Sequence, residues 1–166
     1  LQGQADLGVV SGRPSLNGVH QTTLFEDSFG LLCSVDHELA QRREPPEFEE
    51  VFASSFIRNN LCALIDAPEV KDAISRAKIT VHNTHSLVAM VRTGKWTTIL
   101  PETVARTMPN ELLFRPIAGL AEKRSVSLLK RTRTQFPEHV EEFTKIIMRC
   151  VRDQYPEIAI PGDANR

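Results

Sequence analysis

The stretch from His82 to Glu102 restricts the folds open to this chain more than any other. It reads as a strand end and polar turn (His82-Asn83-Thr84-His85), then a short helix from Thr84 to Thr93 that buries Leu87, Val88, Met90 and Val91. Gly94 follows and suits the left-handed residue after a helix end. A second strand, Trp96 to Leu100, is closed by Pro101-Glu102. A polar turn feeding a helix start forms one wall of a ligand cleft, because the free N–H groups of the first turn favour an anion.

The rest of the chain repeats this alternation of short strands and helices. Asp6 to Val10 is a short apolar run that leaves through Ser11-Gly12-Arg13-Pro14, and Leu16 to Thr23 reads as a polar connector. Phe29 to Val35 is a buried strand. Glu44-Pro45-Pro46 breaks regular structure, and Glu47 to Ser54 then forms a brief helix with Phe48, Val51 and Phe52 on one face. Phe56 to Asn59 is a short strand running into Asn60. Leu61 to Ala77 has helical character with a restart at Pro68, and Lys78 to Val81 is a strand. Pro101 to Ala105 opens a short helix. Leu112 to Ile117 and Ser125 to Lys130 are two further strands.

The last helix begins at Pro137. Glu138, Glu141 and Glu142 lie early and Lys145, Arg149 and Arg152 late, as the helix dipole favours. Val140, Phe143, Ile147 and Val151 form its apolar stripe, with Ile146 beside it. The whole pattern predicts an α/β fold with a mixed, mainly parallel sheet.

Bulk properties exclude several classes. With 166 residues the chain holds one domain or two small lobes sharing a hinge. Twenty Lys+Arg against 21 Asp+Glu give a net charge of −1, which argues against nucleic-acid binding by these residues alone. The basic run Lys130-Arg131-Thr132-Arg133 reads as a solvated strand end. Cys33, Cys62 and Cys150 lack CxxC spacing and read as reduced, partly buried thiols. No apolar run approaches the about 18 residues of a membrane span, and no signal peptide is seen, so a cytoplasmic protein away from the membrane is expected. The chain opens in mid-pattern at Leu1, as an excised piece of a longer protein would.

Candidate chemistry is sparse. His82 and His85 stand at i,i+3, a spacing open to a metal, but no third ligand is near and the pair straddles a turn. His85 or Thr84 lining a pocket or capping the helix is the better reading. Ser34, Asp36 and His37 sit together in sequence as no hydrolase triad requires, and there is no Gly-x-Ser-x-Gly elbow. The eight glycines are scattered and build no phosphate loop. Asp36-His37-Glu38 therefore reads as a solvated strand end, and neither an enzyme nor a cofactor is expected. Asn59-Asn60, after a strand, fits both a plain turn and contacts to a small polar ligand. Ser11 carries the same two readings. Trp96 reads as core rather than as a stacking platform.

The order of these phrases resembles the C-terminal effector-binding domain of LysR-type transcriptional regulators. Leu1-Gln2-Gly3-Gln4-Ala5-Asp6-Leu7-Gly8-Val9-Val10 matches the family's "L-x-x-G-x-x-D-L-x-I". Phe29 to Ala40 matches the strand ending in "H-P-L-A", and Ser55-Phe56-Ile57 matches "P-F-I". Ser86 to Gly94 followed by Thr97 to Glu102 matches "L-V-A-A-G-x-G-V-x-L-L-P", except that Lys95-Trp96 stands where small residues are usual.

The resemblance implies a type II periplasmic-binding-protein-like α/β fold with mixed sheets. Two lobes, about residues 1–35 with 131–166 and about 36–130, would meet over a cleft with two crossover strands as hinge. The first lobe would be incomplete, since the winged helix-turn-helix and the family's opening strand, helix and Ser/Thr-rich loop are not in the chain. A sheet without its opening strand would expose unpaired backbone.

The implied role is effector sensing in a bacterial regulator, with a small anionic metabolite held by Ser11, Asn59, Asn60, Asn83, Thr84, His85 and Thr97. Implied partners are a carboxylate effector, a second copy or a tetramer, DNA only through the helix-turn-helix, and RNA polymerase as a further contact. The rivals are a solute-binding carrier of the same architecture, which an export signal in the full gene would mark, and an enzyme.

Overall fold

The computed structural model describes residues 5–12, 17–132 and 138–160. The chain divides into two compact units, Leu1–Glu26 with Ser125–Arg166, and Asp27–Arg124. Two strands run from one unit into the other: β2 (Val19–Ser34) and β7 (Lys123–Arg131).

In the first unit, β1 (Leu7–Ser11) pairs antiparallel with β7, from Leu7 opposite Lys130 to Ser11 opposite Val126. β7 lies next to β2. The last helix, α5 (Glu138–Gln154), covers this sheet: Leu24, Val126 and Leu128 pack with Ile147, Met148 and Val151. Its inward stripe differs from the expected one. Val140 is buried, but Phe143 is 54% exposed and Ile146 also faces outward. At 100° per residue Phe143 flanks the Val140, Ile147 and Val151 stripe on one side and Met148 flanks it on the other, and the helix packs with the Met148 side turned to the sheet. Pro137, the expected helix start, lies outside the described residues, as does Arg133. Lys130 is no solvated strand end: its side chain is largely covered and pairs with Glu141.

The second unit is a sheet covered on both faces. It comprises α1 (Phe48–Ala53), β3 (Ile57–Arg58), a 3₁₀ turn (Cys62–Leu64), α2 (Pro68–Ser75), β4 (Ile79–Thr80), α3 (Thr84–Val91), β5 (Thr98–Pro101), α4 (Glu102–Ala105) and β6 (Leu112–Arg115), with the second half of β2 and the first two residues of β7. β2 pairs antiparallel with β5, Phe29 opposite Pro101, and with β6, Leu31 opposite Arg115. β3 and β4 pair in parallel.

Along β2, Phe29, Leu31 and Cys33 enter one core with Val51 of α1 and Val70 and Ile74 of α2. Leu32 enters the other with Leu87 and Val91 of α3 and Ala105 of α4. Ile99 and Leu100 of β5 divide in the same way. This two-sided burial is why the run reads as continuously apolar. Trp96 packs against the second core, as expected.

The sheet is mixed, but the expectation of a mainly parallel one is corrected. Three of the four strand pairs described by residue register are antiparallel. Alternation of strands and helices reports element order and not strand direction, and here β2 meets two returning strands. The polar stretch before Phe29 is also strand rather than connector, since β2 begins at Val19 and lies beside β7. Gly30 has a packing reason: a Cβ there would stand 2.5 Å from the Arg115 carbonyl oxygen and from the Phe114 ring. Gly94 takes the left-handed conformation (φ 75°) foreseen for it.

Two of the polar networks in the second unit centre on arginines. The Arg115 guanidinium donates to the carbonyls of Leu39, Ala40, Arg42, Arg43 and Glu44, pinning the segment before α1. The other is fully buried. Arg124 donates from Nε to Asp27 Oδ1 at 2.9 Å and from Nη2 to Oδ2 at 2.8 Å. Thr103 donates its N–H (3.1 Å) and hydroxyl (2.5 Å) to the same Oδ2. Arg124 Nη2 also reaches Thr103 Oγ1 at 2.8 Å.

Cysteine burial is uneven. Cys33 and Cys62 are buried and Cys150 is exposed, so the expectation of three partly buried thiols is corrected. Burial pushes the Cys33 thiol up to about 11, against the Arg115 charge, and burial likewise raises Cys62. Only the thiolate reacts, so an alkylating agent at pH 8 is expected to label Cys150 in the native chain and the other two only after denaturation. Peptide mass mapping reads this directly; native labelling of Cys33 would contradict it.

Candidate effector site

The α3 start is built by its own sequence. Asn83 takes an extended conformation before the helix, and its side chain accepts from Ser86 N at 3.1 Å. This caps one orphan amide and leaves the earlier N–H groups of the turn without intrahelical partners. Facing this start is the loop after β3. His82 Nδ1 and Asn60 Oδ1 share a hydrogen bond of 2.7 Å, joining the two polar segments.

Between them lies a pocket of about 60 Å³. Asn59, Asn60, His82, Asn83 and Thr84 form its polar side, and Leu87, Leu100, Val104 and Met108 are among its apolar lining. No lining residue is acidic or carries a permanent positive charge. The positive character comes from the α3 terminus.

The structure thus brings four of the seven expected site residues together: Asn59, Asn60, Asn83 and Thr84. Asn60, Asn83 and Thr84 are exposed. Asn59 is buried and its amide is fully used: Nδ2 donates to Thr98 Oγ1 (2.7 Å) and the Ile99 carbonyl (2.9 Å), and Oδ1 accepts from Leu61 N (2.8 Å) and Cys62 N (3.1 Å). It braces the pocket wall. His85 is exposed on the adjoining hollow, which it shares with Thr84, Arg92 and Met108.

Thr97 is wholly buried and its Oγ1 meets Ser54 Oγ at 2.8 Å, so it does not line this pocket. Ser11 is the exposed last residue of β1 in the first unit. His37, read from sequence as solvated, is buried, and its Nδ1 accepts from Leu39 N at 3.1 Å in a tight turn. The site residue the sequence reading missed is His82. Its signal was its place one residue before the capping Asn83.

The chain matches the family model described as the LysR substrate binding domain over residues 1–150. Among curated proteins none matches. Among solved structures, the chain is similar to the reduced OxyR regulatory domain from Pseudomonas aeruginosa (19% identity, 90% of this chain and 73% of that one, TM-score 0.68). It is similar to the CcmR regulatory domain of Synechocystis PCC6803 in complex with 2-PG (14% identity, 90% and 75%, TM-score 0.68). The effector-binding domain of QuiR in complex with shikimate is a third (17% identity, 90% and 73%, TM-score 0.67). These likenesses place the fold with the periplasmic-binding-protein-like domains of such regulators. Matched over nearly its whole length, the chain belongs to the LysR substrate-binding domain family, the effector-binding part of LysR-type transcriptional regulators.

Proposed function

We propose that the pocket beside the α3 start holds the acid group of a small anionic effector. The rest of the effector would lie in the cleft between two lobes, about residues 1–35 with 131–166 and about 36–130. The observation that carries this reading is the meeting of a capped helix terminus, Asn60 and His82 around one pocket with no carboxylate in its lining. Two solved relatives are complexes with small molecules, shikimate and 2-PG.

LysR regulators sense small-molecule effectors, act as oligomers and bind DNA through an N-terminal domain. This chain would supply the sensing step, with Ser11 and Thr97 as further positions from which to shape the site. A carrier of the same architecture is not favoured by the family match, and the family is one of regulators rather than enzymes. Among the described residues no helix is long and apolar enough to cross a membrane.

A thermal-shift screen of small carboxylates tests the proposal. A binder should raise Tm. Asn60→Ala and His85→Ala should each weaken its binding about five- to tenfold, the worth of one hydrogen bond, with the unliganded Tm unchanged. Equal affinity in both variants would remove these positions from the site.

A further inference from the structure

We propose that Thr103 is a coupling residue that carries occupation of the pocket to the two strands leaving the second unit. The inference rests on reading the pocket as the effector site. Leu100 and Val104 line the pocket, and Thr103 lies between them in sequence. It belongs to α4, which is a single turn, Glu102–Ala105. A displacement of Val104 within one helical turn displaces Thr103 with it.

Thr103 has nowhere to move freely. Its N–H and hydroxyl are both committed to Asp27 Oδ2, and Arg124 Nη2 is committed to its oxygen. Asp27 and Arg124 are the first and last residues of the second unit, at the points where β2 and β7 cross into the other. The pair is out of water, with Arg124 at 8% and Asp27 at 0% side-chain exposure. No solvent is at hand to replace a hydrogen bond that Thr103 gives up. Displacement of α4 therefore shifts both strands together or breaks bonds that neither partner can remake. A ligand that favours one position of α4 over another would in this way bias both strands.

The test needs no knowledge of the effector. Val104→Phe, with Val104→Leu as a milder filler, occupies the pocket sterically. Amide hydrogen exchange is followed in Leu24 to Phe29 and Arg124 to Leu128, with the amides of α1 and α2, which pack in the other core away from the pocket, as the control for intact folding. The filler is expected to change exchange in both crossover segments by about fivefold or more, at the low end of usual allosteric coupling. The change should survive in Thr103→Ser, which keeps the hydroxyl, and fall below about twofold in Thr103→Val, which loses it. An undiminished response in Thr103→Val, or no response in the otherwise wild-type chain, overturns the proposal. If the strands respond as expected while no carboxylate ever binds, the coupling stands and the effector site is the part that fails.

Discussion

Asp27→Ala is expected to destabilise the second unit by about 3–5 kcal/mol, more than any other single truncation in its polar networks. The loss does not measure the worth of an ion pair. Removing the carboxylate strands the Arg124 guanidinium, 8% exposed at its side chain, with the Thr103 oxygen as its one remaining acceptor among the described residues. It also orphans the Thr103 N–H at the start of α4. Because the pair is buried, salt should do little to mask the effect. Urea unfolding of Asp27→Ala, Arg124→Met and the double variant Asp27→Leu/Arg124→Met reads it. The double variant should recover most of the loss, since replacing both partners removes the unpaired charge. A double variant as unstable as Asp27→Ala would refute this account and point to shape rather than charge.

Asn59→Ala should rank second, at about 3 kcal/mol or more. Four hydrogen bonds end on this one buried amide, and truncation leaves the Leu61 and Cys62 amides without the acceptor they share. An unsatisfied buried donor costs about 1–3 kcal/mol, and here two are left at once. Any loss of effector binding in Asn59→Ala should therefore come with a lower Tm, while Asn60→Ala keeps its Tm. An Asn59→Ala protein as stable as the parent would show that solvent reaches these amides. Asn59 would then belong with the exposed contact residues.

Much of this architecture was legible in the sequence, and the parts that were not share a cause. The helix at Thr84, the Gly94 stop and the short helix after Pro101 were readable because each is specified within a few residues of chain, whereas the cap expected at Thr84 or His85 is Asn83. Asn60, Asn83 and Thr84 converge because both segments end at the same side of one sheet. The direction of the strands was not readable, since a strand carries no local mark of the partner it will meet.

Nor was the role of Asp27. In sequence it sits in Glu26-Asp27-Ser28 and looks solvated, while its counter-charge stands 97 positions away. His37 misled for a related reason, because a short turn folds its ring inward to receive the Leu39 amide. Thr97 was one residue out of place. Successive side chains alternate along an extended chain, so Thr98 points to Asn59 and Thr97 to Ser54.

The two-sided cover of β2 and β5 has a consequence for sequence change. Ile99 and Leu100 belong to different apolar compartments, so inserting or deleting one residue within β5 would exchange their addresses and send every following side chain to the wrong side. A sheet open to water on one face turns a slipped residue toward solvent, but this one has no wet face to receive it. Length variation in relatives should accordingly collect in the connections, such as residues 106–111 between α4 and β6, and leave the four residues of β5 untouched.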